Sequence, residues 1–87
     1  MNSQFVNDRA RGVAATMLKD ETLSDAVRIR QLYLKIFCRE PDNTEVDSAL
    51  SYIASLQERL RKQDSKLTAW TSFCHVLLAA NEFLYIE

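Results

Sequence analysis

The residues of this chain that most suggest chemistry form one short stretch, Thr71-Ser72-Phe73-Cys74-His75. Its last two residues match the end of the C-x-x-C-H motif that attaches c-type haem, but a threonine replaces the first cysteine. Haem attachment uses two thioether bonds, so one of the two thiols is missing. In a helix, neighbouring residues point about 100° apart, so Cys74 and His75 would face different directions. We therefore predict that this chain binds no haem and needs no cofactor.

Zinc binding and nucleophilic catalysis are the other chemistries that these residues suggest. A zinc site could use Cys38, Cys74 and His75, but structural zinc takes four ligands and the sequence offers no evident fourth. Catalysis would require His75 to lie between a hydroxyl such as Ser72 and an acid. A histidine beside hydroxyls on a polar helix surface is common without any such role. We predict no metal site and no catalytic residues, and expect the chain not to be an enzyme.

The chain contains only two cysteines, Cys38 and Cys74. Both have apolar neighbours on predicted helices, where a free cysteine usually packs as a small buried hydrophobe. Two cysteines are too few for a disulfide scaffold. We predict two buried free thiols, with a disulfide between them as the alternative.

Composition limits the classes to which this protein can belong. The 87 residues are enough for one domain, and 47% of them are apolar, with one glycine and one proline, which is typical of a compact helical domain. The net charge is −1, whereas nucleic-acid binders usually carry a basic excess. No apolar run approaches the roughly 20 residues of a membrane span, and the first residues do not resemble a signal peptide. We expect no nucleic-acid partner and no membrane insertion by this segment, which is either cytosolic or, as we prefer, a piece of a larger chain.

Hydrophobic periodicity predicts an all-α, compact, four-helix bundle-like domain with short connections. Ser24 is a suitable N-cap for the second helix, which must end before Pro41. Asp42 and Glu45 have the spacing of a capping box at the start of the third helix, and Ser65 is a plausible N-cap for the fourth. The predicted helices span residues 3–19, 25–39, 43–63 and 66–85.

The predicted faces of the first three helices differ in character. The first helix has a thin apolar stripe around Ala10 and Ala14, which lets another helix approach closely, and Gly12 lies opposite that stripe. Glycine lowers helix propensity by up to about 1 kcal/mol, so we expect this helix to be the least stable. On the second helix the pattern places Arg28 on the polar face, and on the third helix it places Tyr52 on the apolar face.

The fourth helix is the element around which the others should pack. Its apolar residues cover an arc of roughly 220°, with Trp70 at the centre and Val76 within it, so we predict that Trp70 belongs to the core. Asn81 also falls inside this arc. A buried amide must find hydrogen-bond partners, so we predict that Asn81 bonds backbone near the corner at residues 39–42. Glu82, the next residue, is predicted to pair with Arg39 or Arg30.

Three strings of residues form a recognisable pattern: Arg28-x-Arg30-x-x-Tyr33, Arg39-Glu40-Pro41-x-x-x-Glu45, and Ala69-Trp70-x-x-Phe73-Cys74-x-x-Leu77-Leu78-Ala79-x-Asn81-Glu82-Phe83-Leu84-Tyr85. In these strings the chain resembles the C-terminal domain of unknown function found in large planctomycete proteins. The resemblance covers about residues 5–86, and its most specific part is the last helix. Asp42 departs from the family, in which threonine or serine usually follows the proline, but it retains the capping chemistry. The corner is also similar to an Arg-Glu-Pro-Asp turn in bacterial repeat domains of unknown function.

Members of that family typically close chains that carry a planctomycete cytochrome c-like domain. The resemblance therefore implies a non-catalytic helical module at the C-terminus of a large, exported, haem-associated protein, periplasmic or at the cell surface. Its partners would be the upstream domains of the parent chain or another protein, with haem present only through other domains. The alternative is an accessory subdomain that completes the active site of an upstream oxidoreductase or polysaccharide-degrading enzyme. The residues expected to form a structural lock or an interaction site are Arg39, Pro41, Glu45, Trp70, Asn81, Glu82 and Phe83.

Overall fold

The computed structural model describes the backbone of residues 3–60 and 65–84 and the side chains of residues 7–60 and 65–81. These ranges form four α-helices: α1 (Ser3–Lys19), α2 (Asp25–Phe37), α3 (Asn43–Leu60) and α4 (Ser65–Leu84). The predicted all-α, four-helix fold is therefore confirmed. Within the described ranges, none of the helices combines the length and hydropathy needed to cross a membrane.

The starts of α1, α2 and α3 and the end of α1 agree with the predictions, whereas the end of α2 and the start of α4 differ. α2 ends at Phe37, two residues earlier than predicted, because Cys38 takes the left-handed conformation with φ of 58°. Its N–H donates to the carbonyl oxygen of Leu34 at 3.1 Å, which closes the last turn. α4 begins at Ser65, so this residue is the first of the helix and not its N-cap. The predicted ends of the third helix at residue 63 and of the fourth at residue 85 lie outside the described residues.

α4 is the centre of the fold, because α1, α2 and α3 all pack against it. Ala10 and Ala14 are fully buried, as expected for a thin stripe that lets α1 approach closely. Trp70 is also fully buried, which confirms its predicted place in the core. Its ring meets that of Phe73 edge to face, with the centroids 6.1 Å apart. The buried apolar residues are Ala10, Ala14, Ile29, Leu32, Tyr33, Ala49, Ile53, Ala69, Trp70, Phe73, Cys74, Leu77 and Leu78.

The connection between α1 and α2 buries a charged side chain that the sequence pattern placed on the polar surface. Arg28 is only 2% exposed. Its guanidinium donates to the Asp25 carboxylate at 2.9 Å and to the Asp20 carbonyl oxygen at 2.8 Å. Ser24 accepts a bond from the N–H of Val27 and so caps α2 as predicted. The prediction for Arg28 was wrong because the chain before α2 folds back over it and supplies a backbone acceptor.

Two further predictions about burial were wrong. Cys38 is exposed, because it lies beyond the last turn of α2 and not on its apolar face. Tyr52 and Val76, which the pattern assigned to buried faces of α3 and α4, are 38% and 51% exposed. The three helices around α4 do not cover its whole apolar arc, so one sector between α3 and α4 remains open to solvent.

Candidate functional site

The corner between α2 and α3 (residues 38–42) is built by a capping box. The Asp42 carboxylate accepts a hydrogen bond from the N–H of Glu45 at 2.8 Å. In return, the Glu45 carboxylate accepts one from the N–H of Asp42 at 3.0 Å. These bonds satisfy N–H groups that the first turn of a helix leaves without partners. The predicted capping box is confirmed, and it fixes the point at which α3 begins.

Arg39 ties the end of α2 to this capping box. Its two terminal nitrogens donate to the two carboxylate oxygens of Glu45 at 2.8 and 2.7 Å, in the bidentate geometry that arginine favours. One of them also donates to the Glu40 carbonyl oxygen at 3.1 Å. The guanidinium lies over the ring of Tyr33, 5.4 Å from its centroid. The spacing Arg39-x-x-x-x-x-Glu45 therefore holds α2, the corner and α3 in one arrangement.

The electrostatics of the corner follow from these contacts. The hydrogen bonds from Arg39, and next the one from the backbone of Asp42, lower the pKa of Glu45 to about 2. The hydrogen bond to Glu45 in turn raises the pKa of Arg39. Burial raises the pKa of Tyr33, so its hydroxyl stays protonated at neutral pH. Glu45 is therefore a fixed negative charge at any physiological pH.

A groove between α3 and α4 begins at this corner and has a volume of about 320 Å³. The buried residues Ala49, Phe73 and Leu77 also line it, next to the exposed side chains of Tyr52 and Val76. For scale, an engineered apolar cavity of roughly 150 Å³ accepts benzene, so this groove has room for one or two bulky apolar side chains. The residues that line this α3–α4 groove are Tyr33, Thr44, Glu45, Ser48, Ala49, Tyr52, Phe73, Val76 and Leu77.

A second, more polar depression lies on the outer side of α3, and we call it the α3 hollow. It shares Ser48 and Tyr52 with the α3–α4 groove, so the two surfaces are continuous. The hydroxyl groups of Tyr52 and Ser72 are hydrogen-bonded at 2.8 Å, which fixes the Tyr52 ring between the two depressions. The α3 hollow is lined by Asp47, Ser48, Ser51, Tyr52, Ser55, Leu56 and Arg59.

The side chains of residues 71–75 lie in different surroundings, because they point in different directions from α4. Cys74 is fully buried, and burial raises the pKa of its thiol to about 12, so it is an inert packing group. His75 is half-buried, and the hydroxyl of Ser72 bonds to Tyr52. Both cysteines are free thiols, so the alternative prediction, a disulfide between Cys38 and Cys74, was wrong. No group of three potential metal ligands occurs within the described residues.

The predicted lock at the end of α4 is only partly within the described side chains. Asn81 is half-buried. The side chains of Glu82 and Phe83 lie outside the described residues, so the pairing of Glu82 with Arg39 or Arg30 stays a prediction, as does the hydrogen bond from Asn81 to the corner. In the structure, Arg39 pairs with the carboxylate of Glu45, a partner that was not predicted for it.

The α3–α4 groove itself was not predicted. A helical wheel places Tyr52 and Val76 on apolar faces, and it cannot indicate which part of such a face the neighbouring helices leave open. The signal available in the sequence was the breadth of the apolar arc on α4, part of which, at Val76, its three neighbours leave exposed.

Comparison of the chain with protein-family models, with curated proteins and with solved structures found no match. The geometry of the corner and of the groove therefore carries the functional argument.

Proposed function

We propose that this chain is a non-catalytic helical interaction module that binds another domain or protein through the α3–α4 groove. The observation that carries the proposal is the exposure of Tyr52 and Val76, 38% and 51%, beside a groove with a buried apolar floor. Grooves of this kind commonly accept the apolar face of a helix. Covering these side chains would remove apolar surface from water, which is the usual driving force for association.

The construction of the corner supports this proposal. Arg39, Glu45 and Asp42 hold the end of α2 and the start of α3 together, and Glu45 also lines the groove. One wall of the groove is therefore fixed before a partner arrives, which lowers the ordering cost of binding. A preformed apolar groove suits recognition, whereas the side chains of the 71–75 stretch point in different directions and suit no shared reaction.

We further propose that the chain is related to the planctomycete C-terminal domain and acts as part of a larger haem-associated protein. In support, the strings that carry the resemblance contain Arg39 and Glu45, which build the corner, and Trp70, which fills the core. Those residues specify an architecture, as expected for a module. Under this proposal the partner is an upstream domain or a second protein, and haem is bound elsewhere.

Protection of the groove in living cells tests the proposal. The native Cys38 is first replaced by Ser, and Cys74 is silent because it is buried. A thiol is then introduced by Val76→Cys or, as the matched control, by Leu34→Cys, since Leu34 is 46% exposed and does not line the groove. The rate of maleimide labelling is measured on the purified chain and in the cells that make the protein.

We expect both thiols to react at similar rates in the purified chain. In cells, labelling through Val76→Cys should slow at least tenfold relative to labelling through Leu34→Cys, whether the partner lies in the same chain or in another. Equal labelling of the two positions in cells would show that nothing covers the groove and would refute the proposal.

A further inference from the structure

The charges near the corner end of the α3–α4 groove are mostly acidic. Between residues 40 and 57 the chain has four acidic residues and no lysine or arginine. Arg39, the basic residue that precedes this segment, is bound to Glu45. On the α4 side, residues 67–81 contain no acidic residue and no lysine or arginine. The acidic residues are Glu40, Asp42, Glu45 and Asp47.

The groove and the α3 hollow together form one extended surface along α3. They share Ser48 and Tyr52, and they run from Glu45 near the corner to Arg59 near the described end of the helix. At 1.5 Å per residue this stretch is about 21 Å long, or about four helical turns. The surface is apolar beside Val76 and acidic near the corner, it is rich in serine hydroxyls along α3, and it has one basic residue, Arg59, at its far end.

From this arrangement, and resting on the proposed function, we infer that the occupant is an amphipathic helix of about four turns with a basic flank. Its bulky apolar residues would enter the groove beside Val76 and Tyr52. Its lysine or arginine side chains would lie against Asp47 and the acidic corner, where opposite charges steer encounter and select the partner. A second copy of this chain fits less well, because Arg59 is the only lysine or arginine among the described residues that line this surface and a copy would offer little basic charge to the acidic corner.

Two designed peptides of about 14 residues test the inference, with the length set by the four turns of α3. Both carry the same stripe of leucine and phenylalanine at helical spacing, and both are labelled with a fluorophore. One has lysines beside the stripe, and the other has glutamates at the same positions. Binding to the chain is measured by fluorescence anisotropy at low and at high salt.

We expect the lysine peptide to bind at least tenfold more tightly than the glutamate peptide, and the difference to shrink in high salt because salt screens exposed charges. Val76→Ser should weaken binding of the lysine peptide at least fivefold. Leu34→Ser, which changes an equally exposed apolar residue outside the groove, should leave it unchanged. Asp47→Lys should weaken the lysine peptide and strengthen the glutamate peptide.

Several results would overturn the inference. These are equal affinity for the two peptides, no binding of either, equal effects of Val76→Ser and Leu34→Ser, or no change of preference with Asp47→Lys. Concentration-dependent dimerisation that is lost in Val76→Ser alone would instead assign the groove to a second copy. If the peptides fail while the Val76→Cys thiol remains protected in cells, the interaction module stands and only its basic partner is refuted.

Discussion

Replacing Trp70 by alanine should remove most of the stability of this domain. Trp70 is the largest fully buried side chain, on the helix against which the other three pack. It is also the only tryptophan in the chain. A single substitution at this position therefore perturbs the centre of the fold, and in the wild-type chain the indole fluorescence reports whether Trp70 is buried.

The expected magnitude follows from burial. A buried aromatic side chain removes roughly 150–250 Å² from water, which at about 25 cal/mol per Å² corresponds to about 4–6 kcal/mol. Because the alanine retains part of this area and the site partly collapses, we expect Trp70→Ala to cost about 3–5 kcal/mol. A domain of 87 residues has a total stability of about 4–13 kcal/mol. Even 3 kcal/mol would lower the Tm by about 12 °C or more.

Urea unfolding followed by circular dichroism measures the loss, with Trp70→Phe as the matched variant. Phenylalanine keeps much of the ring packing and also removes the indole N–H, which has no hydrogen-bond partner within the described residues. We expect Trp70→Phe to cost only about 1–2 kcal/mol. If Trp70→Ala unfolded within 1 kcal/mol of wild type, or if the native emission matched that of the unfolded chain, Trp70 would not be in the core.

Four other predictions concern the corner, the α1–α2 connection and the thiols. Cys38→Gly should stabilise the chain by about 1 kcal/mol in urea unfolding, because glycine takes the left-handed conformation at φ of 58° without strain; a loss of stability would argue against that conformation. Arg28→Ala should cost about 2–3 kcal/mol through two lost hydrogen bonds, whereas the exposed Arg30→Ala should change stability by less than about 0.5 kcal/mol; equal effects would contradict the burial of Arg28. The pKa of Glu45 is lower in the folded chain than in the unfolded chain, so its contribution to stability is present above pH 4.5 and is lost as the pH falls towards about 2. Glu45→Gln should therefore flatten the pH dependence of the Tm between these two pH values, and a profile unchanged from wild type would refute this. Cys38 should react with a thiol reagent in the native chain and Cys74 only after unfolding, which mass spectrometry of the modified protein would show; native modification of Cys74 would contradict its burial.

Much of the fold was predictable from local signals, because the starts of α2 and α3 have their own capping residues. Ser24 at the N-cap of α2 and the Asp42 and Glu45 pair at the start of α3 act through residues three apart in the sequence. Such contacts do not depend on how the helices pack. The burial of Trp70 was predictable as well, since it lies at the centre of the apolar arc of α4. A helix with so wide an apolar arc is expected to lie in the middle of the fold.

What could not be predicted depends on the fit between helices. Arg28 is buried under the α1–α2 connection, where it donates to the backbone carbonyl oxygen of Asp20. Hydrophobic periodicity in the sequence does not indicate that this acceptor lies nearby. Tyr52 and Val76 remain exposed because no other described helix covers the groove between α3 and α4. Cys38 does not lie on the apolar face of α2 as predicted, because α2 ends at Phe37 and not at Arg39. The candidate site therefore arises from incomplete coverage of apolar faces, and only the assembled structure reveals it.

The most direct test of the proposed binding surface is a map of where a helical partner binds. The lysine peptide is titrated into the ¹⁵N-labelled chain, and the change in chemical shift of each backbone amide is followed by NMR. We expect the largest changes along the groove, at Ser48, Tyr52 and Val76, and smaller changes on α1. Changes concentrated on α1 or around Leu34, or no changes at saturating peptide, would contradict it.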